Sequence, residues 1–153
     1  TPTQFRDIIR SKAGKKLSDS EIDAAWMEYL LDVPDTKLNL LLQLRKQYRL
    51  FLLSNTNAIH IANILSPAFE KNGHAFSDYF EKAYYSHELH CAKPDRAIFE
   101  QVLLDAAIRA EETLFIDDGE ANIATAAQMG FVTYLAKQKE DFSFIFTSDF
   151  LEK

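Results

Sequence analysis

Three short stretches of this sequence carry side chains suited to phosphate chemistry. In Phe115-Ile-Asp-Asp-Gly119 two adjacent carboxylates, Asp117 and Asp118, end an apolar run. Such a pair repels itself, and its partial burial costs free energy unless a cation or hydrogen-bond donors compensate. Oxygen-only ligation of this kind suits Mg²⁺, which takes one or two carboxylates and keeps several waters. Ser54 and Asn55 open Ser54-Asn-Thr-Asn57, directly after the run Leu50-Phe-Leu-Leu53. A hydroxyl beside backbone N–H groups at a strand-to-helix turn holds a phosphate oxygen, helped by the positive end of the next helix. Lys93, just before Pro94, offers a single ammonium to neutralise phosphate charge. Each stretch also has an ordinary structural reading. Ser54 is a favoured N-cap type, Lys93 reads as a solvated lysine ahead of a helix, and Asp117-Asp118 reads as a capping aspartate with a solvated neighbour. Convergence favours chemistry: all three lie at the carboxyl end of an expected strand or in the loop beside it, where ligands of α/β sheets bind. A hydroxyl, an ammonium and an acidic pair in one crevice describe a site for a phosphate with Mg²⁺.

Those positions depend on the elements around them. From Pro34 onward the pattern alternates helix and strand. Pro34 and Asp35 open a helix with Leu38, Leu41, Leu42 and Leu44 inward, and Arg49 to Leu53 reads as a buried parallel strand. A helix is expected over 58–65, a short strand over 82–86 and a strong helix over 94–107, with Ile98, Val102 and Leu103 on one face and Pro94 near its first turn. Thr113 to Ile116 is a strand, Gly119 to Met129 a helix closed by Gly130, and Phe131 to Leu135 a last strand before Phe142, Phe144, Phe146 and Phe150. Strands separated by helices imply an α/β fold, a Rossmann-like parallel sheet with helices on both faces. Residues 1–33 form a different zone with two amphipathic helices. One carries Phe5, Ile8 and Ile9 and ends at Gly14; the other carries Ile22, Ala25, Trp26, Tyr29 and Leu30 and opens with the capping-box spacing Ser18…Glu21.

The composition narrows the function. Seventeen basic against twenty-three acidic side chains leave a net charge of −6 on 153 residues, and no basic block exceeds Lys15-Lys16. That balance argues against a nucleic-acid partner. No apolar stretch approaches the roughly 20 residues of a membrane span. Cys91 is alone, which excludes an internal disulfide and, with no secretory leader in the sequence, leads us to expect a cytoplasmic protein. Zinc at His87, His90 and Cys91 is disfavoured, because the loop lacks paired ligand spacings and a fourth ligand.

Taken together, Leu50 to Asn57, Lys93-Pro-Asp95 with Ile98-Phe99, and Leu114 to Ile123 with its trailing Asn122 resemble the second, third and fourth motifs of the haloacid dehalogenase-like hydrolases, in that order. The subfamily with a small helical cap is the nearest in pattern. The resemblance implies that residues 34–153 are the hydrolase core and 1–33 the later part of the cap. It implies that Ser54 binds the transferring phosphoryl oxygen with Asn55 beside it, that Lys93 neutralises transition-state charge, and that Asp117 and Asp118 hold Mg²⁺. The implied activity is Mg²⁺-dependent hydrolysis of small phosphorylated metabolites, sugar phosphates among them, through an aspartyl-phosphate. The family's first motif, a strand ending in Asp-x-Asp that supplies the nucleophile, has no match here. Asp19-Ser-Glu21 and Asp32-Val-Pro-Asp35 follow helical segments. In the family that strand is central, so its absence leaves strand edges unpaired. The expectation is that this chain is the carboxyl-terminal part of a longer enzyme and does not turn over by itself. Relatives usually carry Gly where this chain has His90, so the loop before Lys93 is expected to depart from the family's course.

Two other readings share parts of the pattern. A metal-independent 2-haloacid dehalogenase has the same fold, but adjacent Asp117 and Asp118 disfavour it. A receiver domain uses the same groups in another chain order, acidic pair first. A non-catalytic phosphate-binding module is compatible with a phosphate cradle lacking its nucleophile. No oligomeric state can be assigned from the sequence.

Overall fold

Backbone and side chains are described, in a computed structural model, for residues 1–27, 33–62, 66–70, 73–137 and 140–146. The chain divides into two compact units, Thr1–Tyr85 and Ser86–Lys153.

In the first unit, α1 (Pro2–Ala13) opens with a reciprocal cap. Thr1 Oγ1 accepts from the Gln4 N–H at 3.3 Å, and Gln4 Oε1 accepts from the Thr1 amine at 2.9 Å. Gly14 ends the helix as expected, at φ 60°, with its N–H bonded to the Arg10 carbonyl. The expected box at α2 (Asp19–Met27) is also formed: the Glu21 N–H donates to Ser18 Oγ at 3.2 Å and the Ser18 N–H to Glu21 Oε2 at 2.8 Å. The two helices bury less than their amphipathic pattern implies. Ile22 is buried, but Ile8 and Trp26 are 54% and 39% exposed and Ala25 is exposed; Tyr29 and Leu30 lie outside the described residues. Ion pairs join the helices instead. Arg6 donates to both oxygens of Asp23, at 2.9 and 2.6 Å, and reaches Asp19 at 3.3 Å. Arg10 adds bonds to Asp7, Asp19 and the Leu17 carbonyl. Phe5 meets Trp26 edge-on, with ring centroids 4.8 Å apart.

The rest of this unit is held by apolar burial. α3 (Asp35–Leu44) starts where Pro34 and Asp35 predict and buries Leu38 against Phe69, Tyr79 and Phe80. Leu41, Leu42, Leu50, Leu52 and Phe76 pack around that cluster, in which Phe69 meets Phe76 and Phe80 edge-on. β1 (Phe51–Ser54) pairs in parallel with β2 (Lys82–Tyr85), Leu53 opposite Tyr84 and Ser54 opposite Tyr85. β1 is half-buried rather than fully buried, with β2 its one partner strand among the described residues. Between them lie α4 (Ala58–His60), α5 (Ser66–Glu70) and α6 (Phe76–Tyr79). The helix expected over 58–65 is present over the described residues 58–62; Asn63, Ile64 and Leu65 lie outside the described residues.

In the second unit, α7 (Ser86–Leu89) precedes α8 (Arg96–Ala106). α8 starts two residues later than Pro94 suggests, because Asp95 takes the cap by accepting from the Ala97 N–H at 3.0 Å. Its Ile98, Phe99, Val102 and Ala106 are buried. β3 (Leu114–Asp117) pairs in parallel with β4 (Val132–Leu135), and α9 (Glu120–Gln128) crosses between them. Phe99, Phe115 and Phe131 form a triangle of edge-on rings 5.3, 5.9 and 6.2 Å apart, which fixes α8 over β3 and the entry to β4. Parallel pairing with intervening helices is the α/β arrangement the alternating pattern predicts. Among the described residues it comprises two separate two-stranded ladders, β1–β2 and β3–β4. Tyr134 receives the rings of Phe142 and Phe144; Phe150 lies outside the described residues.

The hydrogen bonds from Arg6 hold the Asp23 carboxyl below the ordinary carboxylate range, against the opposing effect of desolvation. A carboxylate depressed on folding contributes stability above its unfolded pKa, about 3.9, that is lost as pH falls through the folded value. Asp23→Asn should therefore lower the thermal midpoint at pH 7, and the deficit should close as the scan is repeated below about pH 4.

Candidate active site around Asp117

The apolar residues Leu114 to Ile116 commit β3 to the sheet and leave Asp117 as its last residue, opposite Leu135. The Asp117 side chain is only 7% exposed and that of Lys93 9%. Lys93 Nζ donates to Asp117 Oδ2 at 2.6 Å, while Oδ1 accepts from the Gly119 N–H and from Asn122 Nδ2, both at 2.8 Å. The ammonium also sits 5.7 Å from the centre of the Phe115 ring. Burial pushes the Asp117 carboxyl up, but the bonds from Lys93, Asn122 and Gly119 outweigh it and hold the group below its usual range. It is therefore ionised at neutral pH.

This geometry bears on the ordinary structural readings of Lys93 and Asp117. Lys93 is not a solvated lysine. Asp117 is not a helix cap, since Gly119 holds the N-cap position of α9; Asp118 is exposed beside it. In the first unit, capping at the Ser54 turn falls to Asn57, whose Oδ1 accepts from the Ile59 and His60 N–H groups at 3.0 and 3.2 Å. Ser54 ends β1, half-buried, and Asn55 follows it, exposed.

Asn122 and Gly119 were not among the expected site residues, yet they hold Asp117 in place. The signal was present as an asparagine five residues beyond the first carboxylate, which a strand-to-helix turn brings back over it. Gly119 is required for space: a Cβ there would lie 2.7 Å from Asn122 Nδ2 and 3.0 Å from Asp117 Oδ1.

His90 takes a conformation that favours glycine. It adopts φ 56°, the left-handed conformation that a glycine would take, so that requirement of the loop is kept although the residue differs. The chain then runs through a cis Lys93–Pro94 peptide, and the Asp95 N–H returns to the Ala92 carbonyl. Cys91 Sγ accepts from Gln101 Nε2, and among the described residues no three His, Cys, Asp or Glu side chains gather as a metal cluster.

The donor set fits Mg²⁺. A carboxylate offers about four lone-pair positions, and three hydrogen bonds to Asp117 leave one for a cation, with Asp118 adjacent and water completing an oxygen-only shell.

A haloacid dehalogenase-like hydrolase profile matches residues 4–130. The chain belongs to this family. It is 36% identical over 138 residues to a D-ribitol-5-phosphate phosphatase of Bacteroides thetaiotaomicron, covering 90% of this chain and 67% of that protein. A wild-type haloacid dehalogenase-family enzyme of B. thetaiotaomicron, crystallised with magnesium and inorganic phosphate, superposes with a TM-score of 0.93 at 48% identity, over 96% of this chain and 74% of that one. A predicted hydrolase of the family from Porphyromonas gingivalis gives 0.83 at 38% identity, over 90% of this chain and 67% of its own. No described helix is long and apolar enough to cross a membrane.

Two outcomes follow from the geometry. Gly119→Ala should displace the Asn122 amide from Asp117, so Gly119→Ala and Asn122→Ala should each cost about 1–2 kcal/mol of unfolding free energy in urea, and the double variant clearly less than their sum. His90→Gly should leave stability unchanged or raise it by up to about 1 kcal/mol, whereas His90→Val, intolerant of positive φ, should lower it; thermal unfolding reads both.

Proposed function

We propose that the protein is a Mg²⁺-dependent phosphomonoesterase of small phosphorylated polyols or sugars, with D-ribitol 5-phosphate the first substrate to test. The observation that carries this reading is the buried Lys93–Asp117 pair held by Asn122 and Gly119, in a chain 36% identical to a phosphatase of that substrate. The family's pattern assigns the roles. Ser54 and Asn55 bind phosphoryl oxygens, Lys93 balances the negative charge that grows on the phosphoryl group, and Asp117 with Asp118 holds the metal. Mg²⁺, when bound, neutralises phosphoryl oxygens and orients them. Asp117 is kept ionised and fixed by its three donors, so that the metal meets a preorganised ligand. Residues 1–33 act as part of a cap and 34–153 as the hydrolase core.

The reaction in this family needs an aspartate nucleophile, and residues 1–153 contain no Asp-x-Asp. Residues 1–153 alone are inactive on this reading, and turnover belongs to a polypeptide that also supplies that motif. In such a polypeptide, phosphate release from D-ribitol 5-phosphate should stop on chelation of Mg²⁺ and resume when it is restored. Lys93→Met should cut kcat/KM at least about 100-fold. Activity that survives chelation, or halide release from 2-haloacids in its place, would replace the phosphatase by the dehalogenase. Phosphate binding without turnover would make the protein a binding module.

A further inference from the structure

Trp26 near the end of α2 and His60 at the end of α4 lie face to face, ring centroids 5.6 Å apart and planes 21° from parallel. Neither ring is part of the chemistry described above. The contact joins two pieces of the first unit that are far apart in sequence and differ in how they are held. α1 and α2 are tied to each other through Arg6 and Arg10, and Phe5 meets Trp26 edge-on. α4 buries Ile59. The turn before it is tied to it through Asn57, which caps it through Oδ1 and whose side-chain amide donates to His60 Nδ1 at 3.4 Å. His60 Nε2 is shut off from water, and burial lowers the affinity of the ring for a proton while the nearby Trp26 carbonyl partly restores it. A neutral imidazole therefore stacks on the indole at pH 7. The line Trp26–His60–Asn57 ends three residues from Ser54 and two from Asn55.

We infer that the Trp26–His60 stack couples the α1–α2 segment to the Ser54–Asn57 turn, and that His60 is a positioning residue for the phosphate-binding groups of that turn. This rests on the phosphatase reading for what the turn binds. A shift of α2 moves Trp26, the imidazole follows, and Asn57 transmits the shift to the start of α4. By reciprocity, phosphate held at the turn changes the surroundings of Trp26. Because Trp26 is the one tryptophan in residues 1–153, their indole emission comes from this ring.

The test uses inorganic phosphate with Mg²⁺, binding followed by calorimetry and by Trp26 emission. In the unsubstituted protein phosphate should shift the emission. His60→Ala should weaken phosphate about fivefold and abolish the shift, while His60→Phe, which keeps a stacked ring, should bind within about twofold of the original. If His60→Ala fails to fold, Trp26→Leu against Trp26→Phe makes the same comparison from the other ring by calorimetry. Unchanged phosphate affinity in the alanine variant, or a phenylalanine variant as weak as alanine, would overturn the coupling alone. Failure of the unsubstituted protein to bind phosphate would overturn the phosphate reading of the turn, and the coupling with it.

Discussion

The ion pair between Lys93 and Asp117 is the constraint on which the second unit turns. Taking both charges out of water costs several kcal/mol per ion, and their attraction repays this only when the geometry is good and the remaining lone pairs are satisfied. The fold meets that condition from three places: the end of β3 supplies the carboxylate, the loop before α8 the ammonium, and the start of α9 both the Gly119 N–H and the Asn122 amide. The Phe99–Phe115–Phe131 triangle beneath them keeps those elements in register. A side chain at 119 or a shorter one at 122 disturbs the carboxylate through its Oδ1, the oxygen opposite the one that Lys93 binds.

The legible parts of the sequence were those governed by local rules. Gly14, the Ser18–Glu21 box, Pro34 and the apolar run before Asp117 announced their elements because each acts within a few residues. Parallel pairing followed from the alternation of helix and strand. What escaped was set by tertiary contact. The exposure of Ile8 and Trp26 depends on partners that a periodicity cannot name. The displacement of the α8 cap from Pro94 to Asp95 depends on which of several polar side chains reaches an orphan N–H. At the site, residue types pointed to Asp117 and Lys93, while their direct bond and the Asn122 brace are products of folding. His90 marks another case, a residue other than glycine that takes a positive φ of 56°.

The first unit places the Ser54 turn in a different way. Ser54 gains its position from a short parallel ladder whose register sets it opposite Tyr85, and from an aromatic cluster around Phe69 that holds β1 through Leu50 and Leu52. Beyond the strand end Asn57 caps α4 through Oδ1. Strand and capped turn are thus consecutive, a loop presented by a regular scaffold.

The guanidinium–carboxylate joint between α1 and α2 gives that segment a chemistry unlike its surroundings. Charges near the surface are screened over about 10 Å at 0.1 M salt and over about 3 Å at 1 M, whereas apolar packing is strengthened by salting-out ions. Ionic strength therefore acts on the two kinds of cement in opposite senses. Concentrated sulfate tightens the rings around Phe69 and Phe99 while it loosens the hold of Arg6 and Arg10 on their aspartates, so one salt pulls the two kinds of contact in opposite directions.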